Sequence, residues 1–240
     1  MSENKAIDEW KVTTKRFVAF IDIMGFKDMV ARKSHNEIYK MMIKIDDRKA
    51  LNENIKWGDR EEKLVSSTTY SDSIMIYSKD NSLESLRSFV CTVSGLSDDL
   101  LLEGIPHKGA FAFGTMTLDK DKSIYFGQPL IDAYLLQEEI YFYGIIGHAS
   151  AELEISNIAD GEHVSFLKNY PCPLKGSISN HLVIYPMDAN ILKPGDKEDS
   201  EKLMKAVRDL RYNTSGHLRK YIDNTENFLS IIGNKKKNII

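Results

Sequence analysis

Apolar positions along this chain switch between a period of two, with dense β-branched runs, and a period close to four. Residues 16–23, around Phe17-Val18-Ala19-Phe20-Ile21, predict a central strand ended by Met24-Gly25-Phe26. From about Ser34 to Lys49 the residues Ile38, Met41, Met42 and Ile45 recur at helical spacing. Leu51 to Glu62 is polar and poorly periodic, so it predicts a loop or a frayed helix. Two strands are expected next, Lys63 to Tyr70 and Ser73 to Ser78, as a hairpin with Ser71-Asp72 at its tip. Leu83, Leu86, Val90, Val93 and Leu96 then mark an amphipathic helix from about Leu83 to Leu102, stopped by Gly104.

His107 to Thr117 reads as a strand whose small residues, Gly109, Ala110, Ala112 and Gly114, let another backbone or a ligand come close. A charged turn, Asp119 to Ser123, precedes Phe126-Gly127-Gln128-Pro129, which opens a helix running to about Ile140. Phe142 to Ala149 is expected to be a strand, and Pro171-Cys172-Pro173-Leu174-Lys175-Gly176 a stiff loop leading into a strand from His181 to Tyr185. A charged helical segment after Pro194-Gly195-Asp196 and a lysine-rich tail complete the chain. The expected organisation is a polar lead-in (1–15), a body (16–188) and a helical C-terminal extension with a basic tail (189–240). Strands interleaved with helices imply an α+β sandwich of the ferredoxin-like kind, with a central mixed or antiparallel sheet and flanking helices. Right-handed crossovers then place the first strand beside the hairpin at the sheet centre.

Composition narrows the function classes. Among 240 residues, 42% are hydrophobic and 28% charged, as in ordinary globular proteins. Lys and Arg number 32 against 35 acidic residues, a formal charge of -3, so no global charge draws nucleic acid and any anion must be held locally. Two cysteines, Cys91 and Cys172, offer neither a disulfide framework nor a zinc cluster. The N-terminus lacks the apolar core of a signal peptide, and Asp, Lys or Gly breaks every long apolar segment. The expectation is a cytoplasmic protein with no membrane insertion.

The chemistry-bearing positions are Asp22 and Asp72, each at the end of an apolar strand run. A carboxylate in such surroundings is costly unless something positive sits beside it. Two of them suggest a site for Mg²⁺ or Mn²⁺, which work with one or two carboxylates plus substrate phosphates. The plainer alternative makes both solvent-facing strand ends. Ile23, Met24, Gly25 and Phe26 are candidates to offer backbone groups to phosphates, with Gly25 allowing close approach. Lys175 in its proline-braced loop is a candidate point charge for a triphosphate. Gly127 at a helix start is either an anion contact or plain turn chemistry. His107 and His148 read as core or edge histidines.

The ordered set Phe20-Ile21-Asp22-Ile23-Met24-Gly25-Phe26, Tyr70-Ser71-Asp72-Ser73, Gly109-Ala110-Phe111-Ala112-Phe113-Gly114, Tyr125-Phe126-Gly127 and Leu174-Lys175-Gly176 resembles class III nucleotidyl cyclases. Within that superfamily it is most similar to the pyrimidine (uridylate or cytidylate) cyclases of bacterial Pycsar antiphage systems. The resemblance runs from about Phe17 to Tyr185 and makes residues 16–188 a nucleotidyl cyclase catalytic domain. It implies a homodimer with sites at the interface and a two-metal centre of Mn²⁺ or Mg²⁺ on Asp22, Asp72 and the Ile23 backbone. It also implies a triphosphate-binding Lys175.

Departures from the pattern sharpen what it implies. Purine cyclases read the base with a Lys before the second metal Asp and an Asp before the later Gly; those positions correspond here to Thr68 and Ile124. Their transition-state Asn and Arg fall in the same frame on Ile131 and Leu135. Arg60, Arg87 and Lys108 are candidate replacement cations, and Tyr39 a candidate base-stacking residue. The resemblance thus implies conversion of UTP to 3′,5′-cyclic UMP and pyrophosphate, with CTP to cyclic CMP as the alternative. The product would be sensed by a separate effector protein in antiphage defence. A cyclase fold that has lost its chemistry and senses nucleotide is the second alternative.

Overall fold

The computed structural model describes residues 10–54, 62–186 and 197–234. Strand β1 (Thr13–Ile23) leads through Gly25, at φ +75°, into a short helix α1 (Phe26–Arg32). Helix α2 (His35–Glu53) starts at Ser34 in a capping box: the Glu37 amide donates to Ser34 Oγ and the Ser34 amide to Glu37 Oε2. The hairpin β2 (Val65–Tyr70) and β3 (Ser73–Ser78) follows, then helix α3 (Leu83–Leu102), capped by Ser82. Strand β4 (His107–Asp119) turns back into a short β5 (Ile124–Gly127), and helix α4 (Gln128–Glu138) begins there with a proline in its first turn. Beyond lie β6 (Ile145–Gly147), α5 (Ala149–Ala159), the hairpin β7 (Leu167–Leu174) and β8 (Ser177–Ile184), and helices α6 (Lys197–Asp209) and α7 (Arg219–Asn234).

The strands form one sheet in the order β2-β3-β1-β4-β6-β8-β7, with β5 also paired to β4. Among the pairings of described strands only β4–β6 is parallel. The first four strands and their helices make the ferredoxin-like β-α-β-β-α-β unit, with β1 between β3 and β4. This is the expected α+β architecture, a mostly antiparallel central sheet with flanking helices.

Alternation along β1 divides the two faces. Phe17, Ala19, Ile21 and Ile23 are buried with Leu86, Phe89, Val90 and Val93 of α3. Arg16, Val18, Phe20 and Asp22 lie on the opposite face, where α4 packs and Tyr134 meets Phe20 edge-on at 5.4 Å. The small residues of β4 admit these neighbours. A Cβ on Gly109 would stand 2.8 Å from the Phe20 carbonyl oxygen, and one on Gly114 3.3 Å from Pro129 of α4. The close approach anticipated for this strand is therefore made by β1 and a helix.

Several expectations need correction. Of the strand expected from Phe142 to Ala149 only Ile145–Gly147 pairs, because the preceding stretch bonds elsewhere: the Tyr143 amide donates to Thr225 Oγ1 of α7. Pro171 and Pro173 do not brace a loop but lie inside β7, an edge strand, where a missing N–H is tolerated. Helices α1 and α5 were not anticipated. The expectations for residues 1–9, for 55–61, for Pro194-Gly195-Asp196 and for the lysines of the tail fall outside the described residues. Because Gly109 has no room for a side chain, Gly109→Val is expected to cost about 2 kcal/mol, seen as a lower urea midpoint at unchanged slope.

Candidate active site

The end of β1 and the tip of the β2–β3 hairpin meet. The Ile23 amide donates to the Asp72 carbonyl oxygen at 2.8 Å, and Asp22 pairs in register with Ser73. The two aspartates, fifty positions apart, are neighbours. The hairpin turns on two residues, and Ser71 takes φ +56°, a left-handed conformation rare outside glycine. The Ile23 amide is thus committed to Asp72, and the Met24 amide to the Pro106 carbonyl at 2.9 Å. Neither is free to bind phosphate as expected, and a metal role for Ile23 requires its carbonyl oxygen.

On the other side of β1, Asp22 pairs in register with Lys108 of β4. Lys108 is buried, and its Nζ donates to the Glu138 carbonyl at the end of α4, 3.3 Å away. Lys175 occupies the two-residue turn between β7 and β8, where Gly176 takes φ +79°, and its amide donates to the Glu139 carbonyl at 2.7 Å. Burial lowers the Lys108 ammonium from its ordinary value; Glu138 and Asp22 oppose this and Lys175 adds to it. The Asp22 carboxyl is raised, first by desolvation, then by the charge of Asp72, with Lys108 pulling it back down. Asp22, Asp72, Lys108 and Lys175 therefore share one electrostatic neighbourhood at one end of the sheet.

Other expected residues sit elsewhere. Tyr39 is 59% exposed and lines a cleft of about 400 Å³ with Phe26, Met42, Asp46, Thr69 and Ser71, next to the hairpin tip. Thr68 shares the Asp22 face, with its Oγ1 hydrogen-bonded to the Tyr77 hydroxyl at 2.8 Å. Ile124 is half-exposed opposite Asp119, eleven residues along β4 from Lys108, roughly 36 Å at strand rise. The chain does not bring Ile124 to the aspartates. Gly127 has no space for a Cβ, which would meet the Thr115 carbonyl at 2.5 Å, so packing between β4 and β5 accounts for it. Ile131 and Leu135 are exposed on α4, next to Tyr134.

Of the three candidate cations, Lys108 lies at the site, Arg87 pairs with Glu162, and Arg60 falls outside the described residues. The signal for Lys108 was its place at the start of a strand destined to lie antiparallel to β1. Glu138 and Glu139, at the end of the helix expected to run to about Ile140, were not singled out by the sequence. His107 is fully buried, bonded to Ser97 and the Ile105 carbonyl, and burial lowers it to about 4.

Two neighbouring hard carboxylates are donors of the type that suits Mg²⁺ or Mn²⁺ when phosphates complete the shell. Among the described residues no group of three or more His, Cys, Asp or Glu forms a denser metal site. No described helix is long and apolar enough to cross a membrane.

Because the folded state raises the Asp22 pKa, protonation favours folding. That advantage is complete below the ordinary Asp value and is lost as pH rises through the raised one. Asp22→Asn should therefore raise the Tm of metal-free protein at pH 7 by roughly 2 °C, and the gain should vanish near pH 3.5, as thermal scans across pH would show.

No family model and no curated protein matches the sequence. Among solved structures, the chain is similar to the guanylate cyclase domain of RhGC from Catenaria anguillulae in complex with GTP, at 14% identity and a TM-score of 0.48, covering 72% of this chain and 97% of that one. It is similar to a bacterial light-regulated adenylyl cyclase at 10% identity and a TM-score of 0.49, covering 82% and 98%. The monomeric guanylyl cyclase domain of the RhoGC fusion protein from the aquatic fungus Blastocladiella emersonii gives 13%, 0.48, and 72% and 95%. Likeness at this level leaves the function to be read from the site's own residues.

Proposed function

We propose that this chain is a metal-dependent nucleotidyl cyclase acting on a pyrimidine nucleoside triphosphate, with UTP preferred over CTP. The observation that supports it is the meeting of Asp22 and Asp72 at one sheet end with Lys108 and Lys175 beside them. In the reaction the 3′-hydroxyl gives up its proton to water, its oxygen bonds to the α-phosphorus, the bond from that phosphorus to the oxygen bridging to the β-phosphate breaks, and pyrophosphate leaves with that oxygen. Mn²⁺ or Mg²⁺ held by Asp22, Asp72 and the Ile23 carbonyl would supply Lewis-acid polarisation and offset phosphate charge. Lys108 is fixed by the Glu138 carbonyl and offers a positive charge that needs no reorganisation. Lys175, exposed on its turn, is suited to hold the outer phosphates.

Pyrimidine preference rests on Thr68 and Ile124, which stand where the purine cyclases that this sequence resembles carry Lys and Asp. Thr68, whose hydroxyl pairs with that of buried Tyr77, puts a neutral hydroxyl in place of a cation. The distance of Ile124 from the aspartates suits a homodimer in which each site takes its second half from the other chain. Exposed Ile131, Tyr134 and Leu135 on α4 and Phe126 on β5 give such a contact apolar surface. A role in antiphage signalling, with the cyclic nucleotide sensed by a separate effector, follows from the resemblance alone.

One observation favours a second reading, a nucleotide sensor without turnover: exposed Ile131 and Leu135 occupy the frame of the transition-state Asn and Arg. Incubation with ATP, GTP, CTP and UTP separately, with Mn²⁺, and mass spectrometry of the products separates the two. Cyclic UMP or cyclic CMP alone is expected, with Asp72→Asn lowering turnover at least about 100-fold at unchanged Tm. Cyclic purine products would overturn the base assignment, and binding without product would establish the sensor.

A further inference from the structure

Helix α7, from the C-terminal extension, grips the segment to which both lysines of the site are bonded. Asn224 Nδ2 donates to the Tyr141 carbonyl at 2.7 Å. Two residues on, the Tyr143 amide donates to Thr225 Oγ1 at 2.8 Å, whose own proton goes to the Tyr221 carbonyl at 2.7 Å. Tyr221 stacks on Tyr141 and Tyr143, with centroids 4.9 and 5.8 Å away. The same short segment holds the Lys175 turn: the Tyr141 amide donates to the Pro173 carbonyl at 3.0 Å and the Lys175 amide to the Glu139 carbonyl. Immediately before it, the Glu138 carbonyl receives Lys108. Met24, two residues beyond Asp22, packs into the same cluster as Tyr143, Tyr221 and Ile222. Residues 138–143 are thus bonded both to the two lysines and to α7.

We propose that α7 is a buttress of the site, and that Asn224 and Thr225 are positioning residues that hold the 139–143 segment and, through it, the Lys175 turn. The inference rests on reading Lys175 as a triphosphate-binding residue. It goes beyond that reading in making the C-terminal extension part of the site, so that movement of α7 changes triphosphate affinity without any contact between α7 and the ligand.

The test is a double-mutant cycle on the full chain, with tripolyphosphate and Mn²⁺ as the probe and calorimetry as the readout. Asn224→Ala is expected to weaken binding about fivefold and Lys175→Ala about tenfold. Since Asn224 acts through Lys175, the double variant should bind no more than about twofold weaker than Lys175→Ala. Thr225→Ser keeps both hydroxyl bonds and should bind as wild type, whereas Thr225→Val should match Asn224→Ala. This pair supplies a second reading if Asn224→Ala folds poorly. Independent effects multiplying to about fiftyfold, or wild-type affinity in both Asn224→Ala and Thr225→Val, would overturn the buttress. Wild-type affinity in Lys175→Ala would instead overturn the site reading, and the buttress with it.

Discussion

The hydrogen bond from the Ile23 amide to the Asp72 carbonyl ties the last residue of a buried central strand to the tip of a hairpin. It sets two carboxylates of like charge side by side, an arrangement their repulsion and the desolvation of Asp22 oppose. The register on both sides of β1 makes it unavoidable: Ser73 and Lys108 face Asp22 across consecutive ladders, and a slip by one residue would turn the whole apolar set of β1 to the wrong face. Packing of Phe17, Ala19, Ile21 and Ile23 against α3 therefore holds the site's geometry as well as the core. The strain at Ser71, the raised Asp22 carboxyl and the lowered Lys108 ammonium are all local costs borne by that register.

Much of this was legible in the residues. The runs around Asp22 and Asp72 predicted their strands, the hairpin tip fell at Ser71-Asp72, and α3 has the bounds that its apolar period implied. Local pattern sufficed there because the apolar runs of the strands and the helical period of α3 lie within each segment's own residues. It failed where tertiary bonds decide. Residues 141–143 have strand composition, yet α7 claims the Tyr143 amide and the Tyr141 carbonyl. Pro171 and Pro173 argued for a loop, and only the position of β7 at the sheet edge makes them compatible with a strand.

The site was legible in its acids and less so in its bases. Asp22 and Asp72 stand out because a carboxylate in an apolar run is conspicuous. Lys108, Arg87 and Arg60 could not be ranked by type, since all three are ordinary cations. Topology ranks them: one lies across the ladder from Asp22 and another is paired with Glu162. The tie between the extension and the 139–143 segment joins residues more than eighty positions apart, beyond any periodicity argument.

The prolines of β7 have a further effect on how such molecules can associate. The Pro173 carbonyl points away from β8, since it accepts from Tyr141, so the missing N–H groups of Pro171 and Pro173 belong to that same outer side. Residues 139–141 already occupy that side at Pro173, and around Pro171 an approaching strand would find an acceptor without the donor needed to zip a ladder. Extension of the sheet along this border is thereby disfavoured.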